Sequence, residues 1–227
     1  MKILYLIPAR KGSKGLLGKN IKKLAGKPLI CYSIEFALQN MTLNDELCIS
    51  TDDLNVLEIA KNLKINMPFV RPDELASDTS SSRDVIMHAI NFYENNNKFF
   101  DFVLFLQPTS PFRIKEDFEN LISEISRDIE MIVSVKKSKE NPYFNLFEEC
   151  NEGYLAKSKA SIFSRRQDCP NVYAFNGSLY LIRVSAIKEK NLQDLTKIKK
   201  IIMPENRSID IDTLADWKLA EFYLDKN

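Results

Sequence analysis

Over the first 137 positions, short continuous apolar runs alternate with polar segments whose apolar residues recur at helical spacing. Ile3 to Ile7 is one such run, stopped by Pro8. A second ends at Leu106 in "FDFVLFLQPTSPFR", where Pro108 and Pro111 cut it off. Runs of this length without alternation predict strands buried on both faces. "ELCISTDD", Met67–Val70 and "EMIVSVKK" predict three more strands. After Pro28, "LICYSIEFALQN" reads as a helix, as do "LNVLEIAKNL", Val85–Tyr93 behind a Ser/Thr-rich capping loop, and "KEDFENLISEIS". This alternation implies right-handed crossovers and an α/β, Rossmann-like, doubly wound and mostly parallel sheet.

The rhythm breaks at about 138–173, which is polar, aromatic and without helical period. Two readings fit: a lid over a site, or a small inserted arm that pairs with a second copy. "GSLYLIRVSAI" and "SIDIDTLADWKLAEFYL" then restore strand followed by helix. With 227 residues, 44% of them hydrophobic, and no repeat or linker, residues 1–227 are expected to form a single domain.

Thirty-two basic and 31 acidic residues nearly cancel, so no global field favours nucleic acid or an anionic membrane, and an anion site has to be a local cluster. Cys31, Cys48, Cys150 and Cys169 are scattered without a CxxC pair, which argues against zinc and against a disulfide framework. The apolar stretch before Pro8 is too short for a signal peptide or a membrane span. A soluble cytoplasmic protein is expected.

In open parallel sheets, ligands sit beyond the carboxyl ends of the strands. That rule gathers the 8–20 loop, "STDD", "QPTSPFR" and "SIDID" into one crevice. The loop "PARKGSKGLLGKN" matches neither the Walker A pattern nor G-x-G-x-x-G, since Ser13 stands for the first glycine and Asn20 for the final Ser or Thr. Its glycines nevertheless free backbone N–H groups to face an anion, and Arg10, Lys14 and Lys19 supply charge. A basic surface turn and a polyphosphate cradle both fit those residue types. Asp210 and Asp212 lie two apart; on an extended chain they share one side and leave Ile209 and Ile211 on the other. Such a pair suits Mg²⁺, or the acidic edge of the following helix.

The order of residues carries more. "IPARKGSKGLLGKN" followed by "KLAGKPLICYSIE" resembles the N-terminal signature of the sugar cytidylyltransferases, in the acylneuraminate branch that makes CMP-sialic acids. The resemblance recurs at "STDD", "RPDELASDTSSS", "LQPTSPFR", "RRQD" and "SIDIDTLADW", in family order over nearly the whole chain. Relatives that activate the eight-carbon acid Kdo share I-P-A-R but continue toward R-L-P-G-K-P. Gly18-Lys19-Asn20 favours the nine-carbon group.

The resemblance implies that CTP and a nonulosonic acid give the CMP-sugar and pyrophosphate, with the anomeric hydroxyl attacking the α-phosphorus. It implies Mg²⁺ on Asp210 and Asp212, and Arg10, Lys19 and Asp212 as catalytic residues. The nucleotide falls to Arg10, Gly12, Ser13, Lys19 and Asn20, with Arg71 and Ser82 near the base. The sugar falls to Gln107, Arg166 and Asn176, the last within an Asn-Gly turn. By the same analogy the chain is a homodimer with the arm reaching over its partner. Ala174-Phe175 and Phe144 stand where N-acetylneuraminate-activating members carry basic residues, and "NPYFNL" looks like the legionaminate-type members. These departures point to legionaminic acid or a relative.

Plainer roles stand beside these: Arg71 as a surface ion-pair partner, Ser82 as a helix cap, Gln107 as a satisfied strand-end amide, Arg113 as a neutraliser of Glu116 and Asp117. His88 reads as a partly buried structural histidine and Trp217 as packing the last helix onto the sheet. Two other functions compete. One is a Kdo-type or sugar-1-phosphate nucleotidyltransferase; the other is a nucleotide-binding module without chemistry.

Overall fold

The computed structural model describes residues 1–12, 15–77 and 79–224. In chain order the first half forms β1 (Ile3–Pro8), a small hairpin of β2 (Lys23–Leu24) and β3 (Lys27–Pro28), α1 (Leu29–Asn40), β4 (Glu46–Ser50), α2 (Leu54–Asn62), α3 (Ser82–Asn95) and β5 (Phe102–Phe105). There follow α4 (Lys115–Ser123), β6 (Met131–Lys137), a hairpin of β7 (Phe147–Glu149) and β8 (Leu155–Lys157), β9 (Tyr173–Arg183), α5 (Val184–Glu189), β10 (Ile198–Ile202) and α6 (Leu214–Leu224).

Six strands make the central sheet in the order β10-β6-β9-β5-β1-β4. Its pairs are parallel except at β9, which runs antiparallel to both β5 and β6. The pleat sorts the core: Ile3, Tyr5 and Ile7 of β1 and Leu104 of β5 pack with α1, α2 and α4. Leu4, Leu6, Val103 and Phe105 pack with α3 and α5 on the opposite face. Helices on both faces explain why these strands read as continuous apolar runs. A third cluster joins Leu24 and Leu29 to Ile209, Ile211, Trp217 and Ala220.

Some expected elements differ. Met67–Val70 is not a strand; it runs out beside β4, where the Arg71 N–H donates to the Thr51 carbonyl at 2.8 Å. "SIDID" is extended with Ile209 and Ile211 buried, but its Ile211 N–H donates to the Thr109 carbonyl of a loop, so it joins no sheet. Trp217 packs α6 onto the β2–β3 hairpin cluster and not onto the central sheet. The 138–173 segment contains the β7–β8 hairpin, whose residues are exposed. His88 is half-buried and meets the Phe69 ring edge-on at 4.5 Å. Among the described residues no helix is long and apolar enough to cross a membrane, and the four cysteines are free thiols.

β10 is an edge strand held at its start by Glu130. That carboxylate accepts from Lys190 Nζ and from the backbone N–H groups of Thr196 (2.7 Å) and Lys197 (3.0 Å). The Lys190 ammonium first, then the two N–H groups, hold its pKa down to about 2. A carboxyl depressed in the folded state stabilises fully above its ordinary range, and that contribution is lost as pH falls toward 2. Glu130→Gln is therefore expected to lower the urea midpoint at pH 7, with the gap to the unmodified protein closing between pH 5 and 2.

Candidate active site

Four chain segments end at one edge of the sheet, and each brings a polar group there. The loop after β1 carries Arg10, Gly12, Gly15, Lys19 and Asn20, which line a cleft of about 420 Å³ together with Gln107, Thr109 and Asp212. A second hollow of about 330 Å³ shares Pro8, Arg10 and Gln107 with the first. It continues to Arg71, Ser80, Ser81 and Ser82. Ser13 and Lys14 lie outside the described residues.

Backbone contacts fix the basic loop. Lys11 N–H donates to Asp52 Oδ1 at 2.8 Å, and Asn20 Nδ2 donates to the Arg10 carbonyl at 3.1 Å. Gly15 rests on the last segment of the site: a Cβ there would lie 2.0 Å from the Asp212 carbonyl oxygen. Lys19, almost buried, donates to the Ile211 carbonyl at 2.7 Å and to Asp212 Oδ1 at 2.8 Å. The N-terminal loop thus touches the Asp-bearing segment through both backbone and side chain.

Arg71 is 4% exposed and makes no ion pair among the described residues; Nε and Nη2 donate to Ser50 Oγ (3.0 Å) and the Ser50 carbonyl (2.6 Å). Burial lowers its pKa to about 10, with Arg10 adding to the effect and Asp52 opposing it, so it stays cationic at neutral pH. Its expected surface ion-pair role is excluded. Ser81 caps α3 through a capping box with Asp84, which leaves the exposed Ser82 at the helix start facing the second hollow.

Asp210 and Asp212 both stand on the open side of their extended stretch. Burial by surrounding protein raises the Asp210 pKa, and the Asp212 charge raises it further, while the Thr109 hydroxyl and Lys19 oppose the rise. Among the described residues no three His, Cys, Asp or Glu side chains cluster as a complete metal cage. Two carboxylates beside amide and hydroxyl oxygens are the donor set Mg²⁺ takes when phosphates complete its shell. Asp212 and Asp216 add to the cost of a charged Asp210, and a cation would relieve that repulsion. The residues fit the ion.

Gln107 belongs to both hollows, and its amide lies beside Gly177 and Asp210. A Cβ on Gly177 would come 2.9 Å from Gln107 Oε1 and 3.0 Å from Asp210 Oδ2, and Gly177 has φ +74°. A register shift between Val133 and Val135 bends the β6–β9 pairing at this point.

Two expected sugar residues are placed elsewhere. Asn176 is 3% exposed with its amide fully engaged: Oδ1 accepts from Ser134 Oγ (2.6 Å) and Ser178 N–H (3.2 Å), and Nδ2 donates to Ser208 Oγ (2.9 Å). It ties β6, β9 and the Asp-bearing segment together, a positioning role. Arg166 is exposed on the arm, donates to the Lys139 carbonyl, and lines a separate hollow with Lys137 and Asn141. Within one chain it does not join the cleft. Among the described residues Arg113 forms no ion pair with Glu116 or Asp117; Arg207 pairs with Asp117 instead. The sequence reading also missed Thr109 as a site residue. Its place in "QPTSPFR" is the signal that could have found it.

Gly177→Ala and Gly26→Ala both impose a Cβ on a positive φ, but Gly26 has nothing within 4 Å. The backbone strain of about 1 kcal/mol is common to both. Gly177→Ala is expected to lose stability further, by about another 1 kcal/mol, which thermal unfolding would read as a Tm roughly 2–4 °C below that of Gly26→Ala.

A protein of Legionella pneumophila named CMP-N,N'-diacetyllegionaminic acid synthase is 34% identical over 100% of this chain and 98% of its own. A pseudaminic acid cytidylyltransferase of Campylobacter jejuni is 33% identical over 97% of this chain and 95% of its own. A solved CMP:2-keto-3-deoxy-manno-octonic acid synthetase complexed with CTP shares the fold, with a TM-score of 0.73 at 17% identity, covering 100% of this chain and 99% of that one. The family model described as Cytidylyltransferase matches residues 4–207, and the chain belongs to that family.

Proposed function

We propose that this cytidylyltransferase activates a nine-carbon 2-keto sugar acid with CTP, giving the CMP-sugar and pyrophosphate. The observation that carries the reading is the two-part cleft: a basic, glycine-bearing loop facing Asp212 at one end, and a buried arginine beside a helix start at the other. Relatives of matching length named for legionaminic and pseudaminic acid support the substrate class.

In this assignment the triphosphate lies along Arg10, Gly12, Lys19 and Asn20, and the nucleoside end enters the hollow of Arg71 and Ser82. Ser13 completes the loop in the sequence assignment. Lys19 neutralises charge on the phosphates while its contact to the Ile211 carbonyl fixes where that charge sits. Gln107 hydrogen-bonds the sugar at the junction of the two hollows. Asp210 and Asp212 hold Mg²⁺, which when bound screens the phosphate oxygens and helps pyrophosphate leave. One of the two aspartates accepts the anomeric proton. No protein nucleophile is needed, because the sugar hydroxyl itself attacks.

The hollow that contains Arg166 shares no lining residue with the cleft. This supports a homodimer in which the arm carries Arg166 to the partner's sugar carboxylate. Phe175 is exposed at the edge of β9, its ring against Tyr180 at 6.0 Å, and Ala174 precedes it. An apolar wall there suits a sugar bearing acylamino and methyl groups over one richer in hydroxyls. Phe144, the other departure, is half-buried in the arm. The enzyme works in the cytoplasm, where CTP is available.

Pyrophosphate release from CTP and Mg²⁺ with N-acetylneuraminate, diacetyllegionaminate, pseudaminate and Kdo tests the reading. Turnover is expected with a diacetylated nine-carbon acid and not with Kdo; turnover with Kdo alone would sink the nine-carbon assignment. Asp212→Asn is expected to cut turnover by roughly 10²–10³-fold, the scale of removing one stabiliser of developing charge. Near-normal turnover in that folded variant would refute the metal assignment.

A further inference from the structure

Arg113 lies behind the cleft, 8% exposed, and makes no ion pair among the described residues. Its three nitrogens each reach a different part of the chain. Nη2 donates to the Gln107 carbonyl at 2.6 Å, Nε to the Ser178 carbonyl at 2.9 Å, and Nη1 to Ser33 Oγ on α1 at 2.9 Å. Two of these three acceptors belong to, or directly follow, the residues that crowd one another at the reaction end of the cleft. Gln107 carries the amide, and Ser178 follows Gly177, whose absent Cβ would strike both that amide and Asp210.

A buried cation ordinarily costs several kcal/mol unless it is paired, and carbonyl oxygens solvate it without cancelling its charge. The carboxylates whose charge Arg113 feels are Asp210, ahead of Asp117. Asp117 is already bound by Arg207 and by the Ile114 N–H. Asp210 is therefore the carboxylate left for Arg113 to balance. A guanidinium is the side chain that reaches three oxygens in one plane; an ammonium has the charge but not the fork.

We infer that Arg113 is a positioning residue for the metal-binding and sugar-binding end of the site, setting the gap between the Gln107 amide and Asp210 through the two carbonyls it bridges. It acts through Gln107 and the Gly177 strand and touches no substrate itself. The inference rests on the function proposed above. It goes beyond that function by separating the two ends of the cleft: among the described residues, the loop and Arg71 that hold the nucleotide make no bond to Arg113, so nucleotide affinity is independent of it.

The test uses the full chain carrying Arg113→Lys, Arg113→Gln or Ser33→Ala, with folding checked by circular dichroism. CTP affinity without metal is expected to stay within about twofold of the unmodified protein in all three. Mn²⁺ affinity in the presence of CTP, read by electron paramagnetic resonance of free Mn²⁺, is expected to fall about 10-fold in both Arg113 variants, with turnover down by roughly 10–100-fold. Ser33→Ala, which removes only the tether to α1, keeps both. Folded Arg113 variants with unchanged Mn²⁺ affinity and turnover would overturn the inference. So would Ser33→Ala reproducing the loss, or neither Arg113 variant folding, since each makes the residue a brace of the fold alone. If the unmodified protein forms no CMP-sugar with any acid, the functional reading fails, while the Mn²⁺ titration still reports on Arg113.

Discussion

The contact between Lys19 and the Ile211–Asp212 peptide joins the loop after the first strand to the last segment before the final helix. Without it the site has two halves and no floor. Its ionic part is a weak bond by itself, because Asp212 is largely exposed and such pairs contribute about 0–1 kcal/mol. What holds the halves in register is the apolar cluster beneath: Leu24, Leu29, Ile209, Ile211, Trp217 and Ala220. Burying each of the larger of these side chains is worth about 1.5–3 kcal/mol, so the cluster outweighs the ion pair several-fold. Hydrophobic burial brings the segments together, and the lysine decides where their polar tips meet. Gly15 completes the arrangement, because any side chain there would drive the loop off the Asp212 carbonyl.

A second regularity is how the cations are held. Arg71 is fixed by the carbonyl and hydroxyl of Ser50, Arg113 by two carbonyls and a hydroxyl, and Lys19 by a carbonyl as well as by Asp212. Carbonyl oxygens orient a donor and soften its desolvation without neutralising it. The protein thereby keeps net positive charge pointed at one crevice although its overall charge is only +1. Electrostatic preorganisation of this kind favours a polyanion at that point.

Much of this was legible in the sequence, for identifiable reasons. β1 and β5 are buried on both faces, so their apolar runs are unbroken; α1 begins right after Pro28, as its spacing predicts. β10 was not legible. "IKKII" buries only Ile201 and pairs on one side alone, so it reads as charged coil. The "SIDID" alternation was read correctly as two faces but wrongly as a strand, because periodicity reports burial and not the backbone's partner. Asn176 was misassigned for a related reason: an Asn-Gly turn in sequence does not reveal that its amide is consumed by Ser134, Ser178 and Ser208. Arg113 looked like a local neutraliser of the next helix. Its partners lie 6, 65 and 80 residues away, which no local pattern can show.

The direction of β9 explains the arm. A parallel neighbour for β6 would have required a crossover helix packed on the sheet, whereas an antiparallel one needs only a return of the chain at the same end. The connection from β6 to β9 is therefore free of any duty to cover the core, and residues 138–172 can project with an exposed hairpin at their centre. The same reversal carries β9 past the bulge opposite Ser134, so that Phe175 is exposed opposite Val135 and Gly177 meets Gln107 and Asp210. Parts that would select the sugar thus lie on β9 and the arm, and parts that would hold the nucleotide lie on β1, β4 and α3. The bonds of Ser134 and Asn176 stay on the β9 side, and those of Arg113 reach no residue of β1, β4 or α3. A fold arranged in this way can exchange one sugar acid for another at its edge while its nucleotide chemistry stays fixed at its centre.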